Sequence, residues 1–252
     1  MRRSKYEKIV KELKSYDDIE RVARKYSLDP ETVLVIYTQK MIRSTMKNFH
    51  RAKARVNELA RRWSSGERIV DLAREYNLPP VVMGNLVLTQ AGLSRREYNE
   101  VLRDPEKIRD ESLRREIEDI LRNDPLYSPK GNAVQRRRGH LGEARIKEWL
   151  DRYGIEYLRE EELRGEGKKT PDFLLKEPIE YRGEKVHWIE SKGTFGDSYE
   201  LRRNLTKQLK PYLELFGSGM AVYWYGLLDE IPMIDGIIIL PGDEFLAWNP
   251  RK

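Results

Sequence analysis

Thr170-Pro171-Asp172-Phe173-Leu174-Leu175 and, beginning fourteen residues after Asp172, Val186-His187-Trp188-Ile189-Glu190-Ser191-Lys192 decide how the second half of this chain reads. Each is a short apolar run with an acid at one end. Asp172 opens the first, and Glu190 with Lys192 closes the second. Apolar runs of this length bounded by turn residues predict strands, and Tyr181-Arg182-Gly183-Glu184 between them predicts a hairpin turn. Residues i and i+2 of a strand share a face, so Glu190 and Lys192 point one way while His187 and Ser191 point the other. A third acid, Glu143, lies in a helical stretch, 142–150. Two carboxylates on neighbouring strands can hold a hard divalent cation such as Mg²⁺, which prefers oxygen ligands. Such a cation stabilises charge on a phosphate and lowers the pKa of a bound water. Lys192 adds a point charge beside that water or phosphate.

Around these segments the pattern alternates in type. A helix runs from about residue 139 to 153, a short strand follows at 155–158, and 160–169 is a polar connection. Asp197-Ser198 supplies N-cap chemistry for a helix over about 199–216. Apolar strands at 220–225 and 234–240 close the set. Helix, three strands, helix and two strands predict an α/β sandwich on a mixed sheet. The aromatics Trp188, Tyr223, Trp224 and Tyr225 are expected in its core.

The first half is different in charge and pattern. Residues 1–140 hold 31 Lys+Arg against 21 Asp+Glu, and residues 141–252 hold 17 against 21. A basic half joined to an acidic one suggests that one part grips a polyanion and the other does chemistry. Ile19-Glu20-Arg21-Val22-Ala23-Arg24-Lys25-Tyr26-Ser27-Leu28-Asp29-Pro30 recurs fifty residues later as Ile69-Val70-Asp71-Leu72-Ala73-Arg74-Glu75-Tyr76-Asn77-Leu78-Pro79-Pro80. Helix, tight turn and a proline opening the next helix give the helix-turn-helix outline, whose second helix can enter a major groove. Between the copies the spacing predicts one long helix over 31–62. Ile42, Met46, Phe49, Val56, Leu59 and Trp63 form its apolar stripe, and Lys40, Arg43, Lys47, Arg51 and Arg55 a basic one suited to phosphate contact. A further charged helix is expected over 110–122. The Pro/Gly/Ser-rich stretch 124–132 predicts a domain boundary, with Arg136-Arg137-Arg138 just beyond it as further phosphate-contacting residues. The expected division is 1–64, a helix-turn-helix-like unit with the basic helix; 65–132, a second such unit and a linker; and 133–252, the catalytic domain.

The order Glu143, Pro171-Asp172, Glu190-Ser191-Lys192 resembles the PD-(D/E)xK nuclease superfamily. More narrowly, Thr170-Pro171-Asp172-Phe173-Leu174-Leu175 with Trp188-Ile189-Glu190-Ser191-Lys192-Gly193-Thr194-Phe195-Gly196-Asp197 resembles the TPD-motif family, which has archaeal and eukaryotic members. The similarity spans roughly residues 135–245. It implies a multidomain α+β protein, with all-α helix-turn-helix repeats followed by a restriction-endonuclease-like α/β sandwich. It also implies a Mg²⁺- or Mn²⁺-dependent DNA nuclease. By the same resemblance Asp172, Glu190 and the Ser191 carbonyl are metal ligands, and Glu143 binds through water or holds a second ion. Lys192 orients or deprotonates the attacking water, and Gln208 contacts water or phosphate, with Lys207 and Lys210 beside it to receive the strand. Paired cuts by resolvase-like relatives make a homodimer compatible with this reading. RNA is the alternative substrate, and a binding or partner-recruiting protein on a vestigial nuclease fold is the alternative function.

Composition excludes other classes. The chain has no cysteine, so disulfides and thiolate metal sites are absent,. Mean hydropathy is −0.75, no apolar run approaches a membrane span, and the basic N-terminal residues run into a charged segment without a signal-peptide core. A cytoplasmic protein with no membrane partner is expected. With 36% charged residues, four Gln and nine Asn, usage leans toward that of thermophiles.

Overall fold

The computed structural model describes residues 1–163 and 169–251; the middle of the expected polar connection, 164–168, lies outside the described residues. Nine helices come first: α1 (Arg3–Glu12), α2 (Asp18–Tyr26), α3 (Pro30–Lys53), α4 (Val56–Ser64), α5 (Ile69–Tyr76), α6 (Pro80–Gln90), α7 (Arg95–Arg103), α8 (Glu111–Asn123) and α9 (Pro129–Tyr153). Then come β1 (Tyr157–Arg159), α10 (Glu160–Leu163), β2 (Phe173–Tyr181), β3 (Glu184–Lys192), α11 (Ser198–Asn204), α12 (Lys210–Phe216), β4 (Gly219–Tyr223), β5 (Ile237–Pro241) and α13 (Gly242–Ala247). The fold is mixed α and β.

Two compact units form, Met1–Tyr37 with Arg137–Lys252, and Thr38–Arg136. The grouping differs from the division expected at 64 and 132, because the first 37 residues pack with the sheet. The Tyr6 ring stacks on Phe195 at 5.3 Å between centroids, and its hydroxyl donates to Asp197. The Met1 amino group donates to the Leu227 carbonyl at 2.7 Å. Phe195 and Asp197 thus have structural work, with Asp197 also capping α11 through the Tyr199 and Glu200 N–H groups, each at 3.0 Å.

The sheet-bearing unit is a layered sandwich. Its five strands run in the order β1-β2-β3-β4-β5. The first three are antiparallel, and β3, β4 and β5 are parallel, which is the expected mixed sheet. Alternation along the strands sends side chains to two separate cores. On one face Ile146, Trp149 and Leu150 of α9 bury Phe173, Ile189, Met220 and Val222. On the other, Leu201, Leu205, Leu209 and Tyr212 cover Trp188, Ala221 and Tyr223. The helix expected over 199–216 is interrupted between α11 and α12 by a π turn, Leu205–Leu209.

The helices of the first half show what their sequence pattern did not convey. The two similar segments share one backbone turn. Ser27 and Asn77 end their helices in the left-handed region, at φ 49° and 50°. Leu28 N–H then bonds the Ala23 carbonyl at 3.0 Å and Leu78 N–H the Ala73 carbonyl at 2.9 Å, the helix-ending bond of a Schellman motif. Yet α6, the second helix of the second copy, is no exposed recognition helix. Val81, Met83, Gly84, Leu86, Val87 and Leu88 are all buried, packed among Leu59, Ile69, Tyr76, Tyr98, Ile117 and Ile120. A helix apolar all round belongs in the middle of a core. In the first copy Val33, Val35, Ile36 and Tyr37 are likewise buried. The second helix of the second copy is thus not free to enter a major groove, and that of the first is buried along residues 35–39.

Two further expectations are corrected. The helix predicted over 31–62 breaks at Ala54 and Arg55, where Arg55 N–H bonds the Ala52 carbonyl at 3.0 Å, the tighter bond with which helices often end. Its apolar stripe is split too: Leu59 is fully buried, but Ile42 is 38% and Met46 61% exposed. The boundary predicted over 124–132 is no linker. Asp124 is buried and accepts N–H bonds from Val81 at 3.0 Å, Leu126 at 3.2 Å and Tyr127 at 2.8 Å, tying this loop to the start of α6. From Pro129 the chain is already in α9, ten residues before the point where the helix was expected to begin, and Glu143 lies fourteen residues into it.

Helix α9 reaches the sheet through Gly142. A Cβ built there would lie 2.5 Å from the Trp224 indole and 2.6 Å from Ser191 Oγ, the pair joined by a 2.9 Å bond from Trp224 Nε1. Alanine normally strengthens a helix interior by ~1 kcal/mol over glycine. Here the overlap wins, and Gly142→Ala should destabilise the protein by about 1–3 kcal/mol, read as a lower midpoint in urea unfolding. An unchanged or raised midpoint would show that Trp224 yields freely.

Candidate active site

Strand register builds the site. Phe173 pairs with Ile189 and Leu174 with Trp188, which sets Asp172 opposite Glu190 at the end of the hairpin. Glu190 and Lys192 share the face covered by α11 and α12, as the period of two requires. They meet there, with Lys192 Nζ donating to Glu190 Oε1 at 2.6 Å. Both are almost fully buried, at 4% and 8% exposed. Glu190 also accepts from the Asp172 N–H at 3.1 Å. Ser191 turns to the opposite face as expected, where its hydroxyl accepts from Trp224; His187 is occupied with the Ser218 carbonyl at 3.1 Å.

The π turn explains Gln208. Such turns insert one residue into a helix and frequently occur at functional sites. Leu205 and Leu209 stay in the core, and Gln208 Oε1 accepts from Lys192 Nζ at 2.7 Å. Lys192 is therefore held between Glu190 and Gln208. The exposed Lys207 and Lys210 lie on the same segment. Glu143 comes from α9, on the other layer, and is held by Arg159 Nη2 at 3.1 Å. Arg159, in turn, lies over the Phe173 ring, 4.6 Å from its centroid. Sequence reading missed Arg159. The only signal for it was a lone arginine at the end of a three-residue strand.

The Ser191 backbone is freed by Pro171. The Lys192 carbonyl accepts from Trp224 N–H at 3.1 Å on the β4 side. Backbone groups alternate along a strand, so those of Ser191 turn toward β2. Its N–H meets Asp172 Oδ2 at 2.8 Å. Counting back from Phe173 and Ile189, the residue opposite Ser191 is Pro171, which has no N–H. The ladder offers the Ser191 carbonyl no amide.

Electrostatics follow from burial. Burial pushes the Asp172 carboxyl well above the usual carboxylate range, to about 8, and the Glu190 charge adds to the rise; the Ser191 N–H and Lys192 oppose it, and Glu143 adds to it. Two acids and one lysine side by side leave room for further positive charge. Among the described residues no three His, Cys, Asp or Glu side chains are drawn together closely enough to form a metal cage. The donors at hand are two carboxylates and a main-chain carbonyl, the all-oxygen set that suits a hard cation.

The residues expected to contact nucleic acid are scattered. On α3, Lys40 and Arg43 are half-buried and Lys47 and Arg51 exposed. Arg51 lies over the Tyr76 ring, 5.3 Å from its centroid, and Arg55 falls in the break before α4. Arg136 and Arg137 are exposed on α9. Arg138 is buried and ion-paired with Glu31 at 2.9 Å, which removes it from the surface.

Comparison with known proteins places the chain in a family. Residues 109–243 match the model of a family described as "Protein of unknown function TPD sequence-motif". The chain is 32% identical over 218 residues to "CDAN1-interacting nuclease 1" of Bos taurus, covering 79% of this chain and 77% of the relative. It is 30% identical over 252 residues to the protein of that name from Mus musculus, covering 91% and 89%. A shorter match, 32% over 111 residues, is to "Uncharacterized protein L539" of Acanthamoeba polyphaga mimivirus. No solved structure matches. An α/β sandwich with acids and a lysine at the end of a strand hairpin is thus the class defined by fold and site. The chain belongs to the TPD sequence-motif family.

The raised Asp172 pKa makes stability depend on pH. The folded state keeps a proton that the unfolded chain loses above pH ~4, so in EDTA stability falls as pH rises from there toward 8. Asp172→Asn removes this slope while keeping an acceptor for the Ser191 N–H. Urea midpoints in EDTA should therefore diverge in favour of the variant between pH 5 and pH 8. Parallel midpoints would show that Asp172 is ionised throughout.

Proposed function

We propose that this protein is a Mg²⁺- or Mn²⁺-dependent phosphodiesterase that cuts DNA, with the basic helical part holding the nucleic acid. The observation that carries this reading is the convergence of Asp172, Glu190, Lys192 and Gln208 at the end of one hairpin. The relatives named as nucleases support it. Asp172, Glu190 and the Ser191 carbonyl would hold the cation. When bound, it supplies charge at the scissile phosphate and lowers the pKa of water.

The chain's own residues do the rest. Lys192, fixed between Glu190 and Gln208, keeps its ammonium in place beside the attacking water or a phosphate oxygen, and fixed charge in a buried site needs no reorganisation during reaction. The Ser191 N–H holds Asp172 in position. Arg159 holds Glu143, which would bind through water or support a second ion. Water attacks phosphorus in line, the bond to the 3′ oxygen breaks, and the product strand carries a 5′-phosphate. The relatives' name also states an interaction with CDAN1; a protein partner for this chain is a compatible second role.

Asp172→Ala and Glu190→Ala should each abolish cleavage of structured DNA substrates in Mg²⁺ while leaving DNA affinity within a few-fold. Lys192→Ala should lose the rate and still bind metal by calorimetry. Retained cleavage in a folded Asp172→Ala or Glu190→Ala protein removes that residue from the site. Binding without any cleavage in the wild type would leave a vestigial, recruiting role.

A further inference from the structure

With α6 buried, the second helix of the second copy is withdrawn from a duplex. The helical unit also offers a recess. A cavity of about 510 Å³ opens between α6, α7 and α9, lined by Asn85, Arg95, Asn99, Arg103, Arg136 and the half-buried Phe49 among others, and by no acid. Arg95, Asn99 and Arg103 recur at four-residue steps, so they lie along one face of α7. Val82 and Asn85 are the half-exposed positions within the buried stretch 81–88 of α6.

The basic side chains of this recess have no acid beside them. Elsewhere in the unit Arg62, Arg68, Arg74, Arg96 and Arg115 are each ion-paired with a carboxylate, whereas Arg51, Arg55, Arg61, Arg109 and Arg114 are spread outside the recess without such a pair among the described residues. Among the described residues Arg95, Arg103 and Arg136 pair with none. Three guanidiniums left unneutralised around one hollow are suited to phosphates, which they can grip bidentately. Duplex bases are read by an element that enters a groove. A recess can only take a nucleotide that has left the stack, and such bases settle on aromatic side chains and bond amides through their edges. Phe49 and Tyr127 supply the first, and Asn85 and Asn99 the second.

We propose that this recess binds an unpaired stretch of nucleic acid, with its phosphates on Arg95, Arg103 and Arg136. It deepens the nuclease reading above and rests on it for the expectation of a nucleic-acid substrate, but the site itself is argued from geometry alone. It also assigns strand binding to this recess in place of the α3 stripe of Lys47, Arg51 and Arg55.

The test is fluorescence anisotropy with the full chain in EDTA, titrated against labelled single-stranded DNA, single-stranded RNA and duplex DNA of equal length. The triple variant Arg95→Gln, Arg103→Gln, Arg136→Gln should bind single strands at least tenfold more weakly. Its log affinity against log salt should be shallower by about two units, at ~0.7 per lost phosphate contact on single strands. The stripe variant Lys47→Gln, Arg51→Gln, Arg55→Gln should stay within threefold. Matching melting temperatures establish folding, and the single Arg103→Glu change gives a second reading should the triple variant melt early. Tighter binding of the DNA or of the RNA strand identifies which source fills the recess. An unchanged affinity and slope in the recess variants overturns the proposal, as does a wild-type preference for duplex or a loss confined to the stripe variant. Because no metal is present, a strand-binding recess in a chain that cuts nothing would uphold this site and remove the nuclease reading, and cleavage with unaltered binding would do the reverse.

Discussion

The contact on which the site depends is the 2.6 Å pair between Lys192 and Glu190, buried at the end of β3. Burying an ion pair rarely stabilises a fold compared with apolar residues of the same size, whereas removing one partner is costly. The pair is held by Gln208 on one side and the Asp172 N–H on another, so each charge has several partners. That is what keeps a lysine and a carboxylate dry and fixed beside a second carboxylate whose own ionisation is suppressed. Added positive charge would complete this balance, which is what the proposed cation-dependent reading asks of the site.

Around that pair the sheet-bearing unit reads as a set of devices for placement. The π turn aims Gln208 inward without removing Leu205 and Leu209 from the core. Pro171 withholds an N–H from the ladder and so leaves a carbonyl over. Gly142 brings α9 against Trp224 and Ser191. Even the tail of the long motif has a packing task, with Phe195 and Asp197 receiving Tyr6 of α1.

The helical unit solves a different problem. Its apolar residues enclose α6, and six of its acids, Glu67, Asp71, Glu75, Glu100, Glu111 and Asp119, pair with arginines. Three of the arginines left without a carboxylate surround the recess between α6, α7 and α9. Asp124, read from sequence as part of a linker, proves to be a buried cap that holds the loop and the start of α6 together.

Much of the site was legible because it is local. Strand period two placed Glu190 and Lys192 together and turned Ser191 away, and the acid-first run of Phe173 located Asp172 beside them. The mixed sheet followed from the order of runs, and the turns at Ser27 and Asn77 from the shared pattern around them. The rest was set by contacts between distant parts of the chain. Periodicity shows that a helix has an apolar face but not how many neighbours surround it, so the enclosure of α6 and the exposure of Ile42 and Met46 were beyond it. Composition marks 124–132 as loop-like but cannot reveal that Asp124 caps a helix more than forty residues earlier. The partnership of Arg159 with Glu143 and the docking of α1 on Phe195 depend on three-dimensional proximity alone. The sequence by itself determined which residue types stand at the chemical positions; the tertiary structure decided which of them are buried, paired or left free, because burial and pairing are properties of neighbours that are remote along the chain.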